Sequence, residues 1–218
     1  MQLNVADFKE MIQQVAFAAS TDESRPVLMG VLLHVEKEKL TMAAADGFRL
    51  SVRKAVLSNP AAHPLNVIIP ARALNELARV AADGEEPIYM VVPKNRGQVL
   101  FRVKDVEVVS QLIDGTFPDY QQIIPRNYKS RTLVSTASLL KACKQAEIFA
   151  REGSNVARFD IKQSNGEMQP SEVEISATSE ETGKNETIVE ATVDGGSVLI
   201  AFNVKFLREA LEVIKTPN

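Results

Sequence analysis

The chain of 218 residues has no tryptophan, one cysteine and two histidines. Each shortage removes a class of protein. A single cysteine, Cys143, excludes an internal disulfide framework and fits a reducing, cytoplasmic setting. The histidines, His34 in a strand-like run and His63 in a Pro/Ala loop, have no Cys or His partner at metal spacing. No apolar run approaches the roughly 20 residues that cross a bilayer. The N-terminus lacks the basic and apolar regions of a signal peptide. No glycine pattern of the Walker or dinucleotide type occurs, nor a Gly-x-Ser-x-Gly nucleophile turn. No metal, cofactor or catalytic residue is expected. The net charge of −3 argues, taken alone, against nonspecific binding to nucleic acid.

What is present is pattern. Residues 113–125 read Ile-Asp-Gly-Thr-Phe-Pro-Asp-Tyr-Gln-Gln-Ile-Ile-Pro. Asp114-Gly115 is turn chemistry, and Pro118 biases Phe117 toward an extended shape. Disordered linkers are polar and lack aromatics, so Phe117, Tyr120, Ile123 and Ile124 point to a packed, extended connector.

Before the connector, residues 3–5 read as a short strand. A helix follows with Phe8, Met11, Ile12, Val15, Ala16 and Ala19 on its apolar stripe, and Asp7 as its cap or in its first turn. Residues 20–26 form a polar loop. Strands are expected at 27–35, with Gly30 inside as a bulge or close approach, at 40–45 and 49–56 around the turn Asp46-Gly47, and at 66–69. Pro70 opens a second helix that buries Leu74, Leu77, Ala78 and Ala81 and ends at Asp83-Gly84. Strands at 88–92, 99–103 and 106–112 finish the half, with turns at 94–97 and 104–105.

After the connector the order begins again. A strand at 132–134 leads to Ser135 or Thr136 as the cap of a helix burying Leu139, Leu140, Cys143, Ala146, Phe149 and Ala150. Strands follow at 156–162, 172–177, 186–193 and 198–202. Asn203 caps a last helix with Val204, Phe206, Leu207, Ala210, Leu211 and Ile214 buried. Gln14-Val15-Ala16-Phe17-Ala18 overlays Ala146-Glu147-Ile148-Phe149-Ala150, and the stretch from Val67 to Leu74 overlays that from Ile200 to Leu207. The alternative is that any two α+β units share such patterns. If the duplication holds, the second copy has no counterpart of the strands between 88 and 112.

Asp46, Asp114 and Asp119 each sit beside Gly or Pro and read as turn-forming carboxylates. The helices carry net charges of −1, +1, +1 and +1, leaving −5 elsewhere in the chain. Weakly positive helices on one surface would bind phosphates without sequence readout. Ordinary solvated helix faces explain the same charges.

Five strings carry a family resemblance: Arg25-Pro26-Val27-Leu28-Met29-Gly30-Val31-Leu32-Leu33, Ala44-Ala45-Asp46-Gly47-Phe48-Arg49-Leu50, Ile69-Pro70-Ala71-Arg72, Leu112-Ile113-Asp114-Gly115-Thr116-Phe117-Pro118-Asp119-Tyr120 and Ala201-Phe202-Asn203-Val204-Lys205-Phe206-Leu207. In this order the chain resembles the bacterial sliding clamp, the beta subunit of DNA polymerase III. The resemblance implies an α+β fold of tandem clamp domains, each with two helices on antiparallel sheet. It implies a complete middle domain at 1–125 and an incomplete C-terminal domain at 126–218 without its closing strands. Met1 would then be an artificial start. The implied function is a non-catalytic processivity factor. A homodimeric ring encircles double-stranded DNA and tethers replicative polymerase, clamp loader and repair proteins through a hydrophobic peptide groove. The matching groove positions are Ala45, Gly47, Phe48, Arg49, Leu50, Pro118, Gln122 and Ile123. Gln122 replaces a basic residue of some members and Phe48 a histidine. The implied DNA-facing residues are Arg25, Lys9, Arg72, Arg79, Lys141, Lys144, Lys205 and Arg208. A duplicated peptide-binding scaffold without a DNA role is the alternative, and an enzyme using the Asp-Gly carboxylates around a metal is a weaker one.

Overall fold

Asn4, and not Asp7, caps the first helix: its Oδ1 accepts the Asp7 N–H at 3.0 Å, which puts Asp7 in the first turn. The computed structural model describes residues 1–81, 86–93, 97–163 and 171–218. These fall into two units, Met1–Ile123 and Ile124–Asn218.

The first unit begins with β1 (Gln2–Leu3) and α1 (Val5–Ala16). The helix claims Val5, so the strand is shorter than expected. A 3-10 turn at Pro26–Met29 follows, then β2 (Gly30–Glu36), β3 (Lys39–Ala45), β4 (Leu50–Val56) and β5 (Leu65–Pro70). The sequence places the start of β2 at residue 27. The structure starts it at Gly30, because Pro26 fixes a φ that suits a helical turn. A Cβ on Gly30 would lie 2.3 Å from Ile68 Cγ2 and 2.8 Å from Ile113 Cδ1, so the glycine is a close approach. Pro70 ends β5 with extended backbone and precedes α2 (Ala71–Val80) instead of lying inside it. β6 (Ile88–Val91), β7 (Gln98–Val103) and β8 (Val106–Gln111) complete the unit. The expected helix end at Asp83-Gly84 and the turn residues 94–96 lie outside the described residues.

The strands form two antiparallel sheets, ordered β4-β3-β2-β5 and β1-β6-β7-β8. A strand, a helix and three strands thus occur twice within this unit. Each sheet takes its fourth strand from the other run: β5 joins β2, and β1 joins β6. The core draws Phe8, Met11, Ile12 and Val15 from α1, Leu74 and Leu77 from α2, and Leu33, Met42, Ile69, Ile88 and Phe101 from the sheets. Phe8 and Phe101 meet with ring centroids 6.1 Å apart. Burial of each large side chain contributes about 1.5–3 kcal/mol.

The second unit contains β9 (Ser130–Val134), α3 (Thr136–Ala150), β10 (Val156–Lys162), β11 (Ser171–Ser179), β12 (Gly183–Gly195), β13 (Val198–Asn203) and α4 (Val204–Val213). Ser135 caps α3 and Asn203 caps α4, each through its side-chain oxygen. The single sheet runs β13-β10-β11-β12-β9. Without β9, the order β12-β11-β10-β13 repeats β4-β3-β2-β5, as the sequence overlay requires. Small residues dominate its core: Ala142, Cys143, Ala146 and Ala150 from α3 pack on Phe159, Val173 and Ile175. Ile69 of β5 is fully buried, whereas Phe202, its overlay partner on β13, is 38% exposed. Ile214 lies past the end of α4 and is exposed, against expectation.

Candidate functional site

The two faces of the sheet β4-β3-β2-β5 part along the strand alternation. Leu33 and Met42 point into the main core. Val52, Ala43, Leu32 and Ile68 pair across neighbouring strands to make an apolar row on the opposite face. The connector lies on this row. Phe117 and Tyr120, each 9% exposed, join Ala43 and Ile68 in one cluster, with Val27, Ala45, Leu50 and Ile113 packed against it. The Ile113 N–H donates to Ile68 O at 2.9 Å. The connector then ends in a 3-10 turn, Tyr120–Gln122, where Asp119 accepts the Gln121 N–H at 3.2 Å and Gln122 Nε2 at 2.7 Å.

The turn between β3 and β4 is built around Asp46. Its Oδ1 accepts the N–H of Phe48 at 2.9 Å and of Arg49 at 3.0 Å. Gly47 has φ +94°, a conformation that glycine adopts without Cβ strain. Arg49 Nε donates to Asp46 Oδ2 at 3.0 Å, Nη2 donates to Phe17 O at 2.8 Å, and the guanidinium carbon sits 5.3 Å from the Phe17 ring centroid. Arg49 therefore clips the turn to the end of α1. Sequence reasoning offered it to a ligand; the structure gives these donors to the protein.

All eight groove candidates fall in the first unit. Ala45, Leu50 and the connector cluster supply apolar floor. Phe48 and Ile123 are 81% and 67% exposed, and Pro118 and Gln122 are exposed as well. Large apolar groups thus stand exposed on the glycine turn, at Phe48, and on the connector, at Ile123.

The eight cationic candidates divide. Arg72, Lys141 and Lys205 are exposed and have no ion-pair partner among the described residues. Arg79 pairs with Glu76 in the open, and Lys144 with Glu212 at 3.1 Å. Arg208 is 21% exposed and held by Glu147 at 2.6 Å, Glu212 at 2.8 Å and Glu209 at 3.5 Å. Lys9 Nζ donates to Ala81 O at 2.8 Å, at the C-terminal end of α2. Arg25 donates from Nε to Asp22 Oδ2 at 2.9 Å and from Nη1 to Asp46 O at 3.2 Å. That last bond ties the polar loop to the β3–β4 turn. Residues 25 and 46 are 21 apart, and no local pattern announces the contact.

Three further reactive groups remain. Cys143 is fully buried, and burial, then the Glu147 charge, pushes its thiol up to about 11. His34 sits mid-strand between Thr41 and Asn66, and His63 is exposed in its loop. Among the described residues no three His, Cys, Asp or Glu side chains gather to hold a metal. No helix of the described chain is long and apolar enough to cross a membrane.

Residues 2–119 match the family described as DNA polymerase III beta subunit, central domain, and residues 121–218 match its C-terminal domain. The chain belongs to the DNA polymerase III beta subunit family. The beta sliding clamp of Bacillus subtilis is 39% identical over 210 residues, covering 95% of this chain and 53% of the relative. That of Staphylococcus aureus is 40% identical over 215 residues, covering 98% and 55%. The crystal structure of the Bacillus subtilis clamp superposes with a TM-score of 0.90 at 35% identity, over all of this chain and 56% of that one. A Pseudomonas aeruginosa clamp bound to griselimycin gives 0.88 at 26% identity, again over all of this chain and 56% of that one. The chain thus spans about half the length of the clamps it matches. The tandem α+β fold of the beta subunit is the fold seen here.

Proposed function

We propose that this chain is the middle domain and part of the C-terminal domain of a sliding clamp, at residues 1–125 and 126–218. Within a homodimeric ring it encircles double-stranded DNA without sequence preference and performs no catalysis. The ring works in the cytoplasm. It tethers replicative polymerase, clamp loader and repair proteins by their peptides, and the turn Asp46–Arg49 with the connector forms one wall of the docking groove. The observation that carries this reading is the cluster of Phe117 and Tyr120 on Ala43 and Ile68 with Leu50 packed against it, on a chain that leaves Phe48, Pro118 and Ile123 exposed and whose relatives are beta sliding clamps. Arg25 in its loop and, of the helix cations, the exposed Arg72, Lys141 and Lys205 are assigned to phosphate.

The scaffold reading without DNA draws on the ion pairs that occupy Arg79, Lys144 and Arg208. Retention on DNA separates the two. A chain of the relatives' full length carrying these residues should, once loaded, remain on nicked circular DNA and run off linear DNA. Equal retention on both would refute the topological function and leave the scaffold.

A further inference from the structure

Arg25 covers the turn that the proposed function assigns to peptide docking. Its Nη1 stands 3.0 Å from the place a Cβ on Gly47 would occupy. The same nitrogen donates to Asp46 O at 3.2 Å, and Nε reaches Asp22 at 2.9 Å. Asp22 in turn accepts the Ser24 N–H at 3.0 Å and the Ser24 hydroxyl at 2.7 Å, so the loop is folded around this carboxylate. The turn is thus served by two arginines of unlike standing. Arg49 is mostly buried with Asp46, their side chains 18% and 13% exposed. Arg25 and Asp22 are 44% and 43% exposed. Half-exposed pairs of this kind favour the closed arrangement by only about twofold to fivefold. A DNA phosphodiester shares its negative charge between two non-bridging oxygens that the guanidinium fork can bind together, and so competes with the single carboxylate oxygen of Asp22.

We propose that Arg25 is a latch over Gly47. Closed, as in this structure, it covers the backbone that an incoming peptide approaches. A phosphate of the DNA draws it off Asp22 and Asp46 and uncovers the turn. This rests on the groove and DNA assignments above. Both ligands favour the open latch, so each tightens the other by the same factor. The closed state's preference limits that factor to about twofold to fivefold.

The test titrates griselimycin, the molecule carried by the Pseudomonas aeruginosa clamp, by calorimetry into a chain of the relatives' full length carrying these residues, with and without a short DNA duplex at low ionic strength. Without DNA, Arg25→Ala should bind griselimycin about twofold to fivefold more tightly than the unmodified chain. Duplex should tighten binding to the unmodified chain by the same factor and leave Arg25→Ala unchanged. Arg25→Lys keeps the charge but loses the fork, and should fall between. Unfolding temperatures of the variants should match, because the pair is exposed. Equal griselimycin affinity in the unmodified chain and Arg25→Ala overturns the latch alone. So does weaker binding by Arg25→Ala, which makes Arg25 a ligand contact. If the unmodified chain does not bind griselimycin at all, the groove assignment fails and the latch fails with it.

Discussion

Arg49 is the residue whose removal tells most about the β3–β4 turn. Arg49→Ala deletes the bond to Asp46 Oδ2 at 3.0 Å, the bond to Phe17 O at 2.8 Å and the stacking on the Phe17 ring. A hydrogen bond to a charged group contributes about 1.5–3 kcal/mol, and a cation over an aromatic face about 0.5–1 kcal/mol. Asp46 keeps its two backbone donors, Phe48 and Arg49 N–H, so its carboxylate is not orphaned by the change. That places the total at the low end, about 2–3 kcal/mol. For a unit of this size the loss lowers the midpoint of thermal unfolding by about 6–15 °C. The chain has no tryptophan, so calorimetry or circular dichroism is the suitable assay. Arg79→Ala is the control: its pair with Glu76 is exposed to water, and the change should leave the unfolding midpoint where it is. If Arg49→Ala unfolds within about 0.5 kcal/mol of the unmodified chain, the clip is not structural and the guanidinium is held in reserve for a ligand.

Four further outcomes follow from packing and burial. Gly30→Ala drives a methyl group to 2.3 Å from Ile68 Cγ2, and should cost about 1–3 kcal/mol in chemical denaturation; full stability would mean that β5 and the connector can shift freely. Cys143 should resist disulfide exchange reagents at pH 8 in the native state and react promptly in urea, since its thiol is raised to about 11. Because the folded pKa lies above the unfolded one, this group's contribution to stability is complete below about pH 9 and fades as pH rises toward 11; a melting temperature that increased across this range would contradict the assignment. The second unit, with its small-residue core and the exposed edge strand β13, should exchange amide hydrogens faster than the first; stronger protection of β10 and β11 than of β2 and β3 would reverse that order.

Much of the fold is legible because it is local. The spacing of Phe8, Met11, Ile12 and Val15 names a helix face whatever lies opposite it, and Asp46-Gly47 names a turn from two residues. The connector is readable for the same reason: Phe117 and Tyr120 sit among breakers, so they need a surface to cover. What escapes is everything closed over distance. The exchange of β1 and β5 between the two sheets of the first unit leaves no mark on either strand's composition. Nor does the bond from Arg25 to Asp46, or that from Arg49 to Phe17.

The helix charges show how this limits a reading of function. Summed along the helices, they give a small positive surplus, and every cation counts equally. In the structure Arg208 is enclosed by three carboxylates, one of them on the neighbouring helix α3, and Lys144 reaches across to α4. Lys9 serves the end of α2. The charge a phosphate meets is set by which cations lack such partners, and that depends on which helices pack together. Arg72, Lys141 and Lys205 qualify because no carboxylate among the described residues forms an ion pair with them across the packing. Counting charges along a helix therefore gives an upper bound on the polyanion-binding face, and the bound tightens only when the partner helix is known.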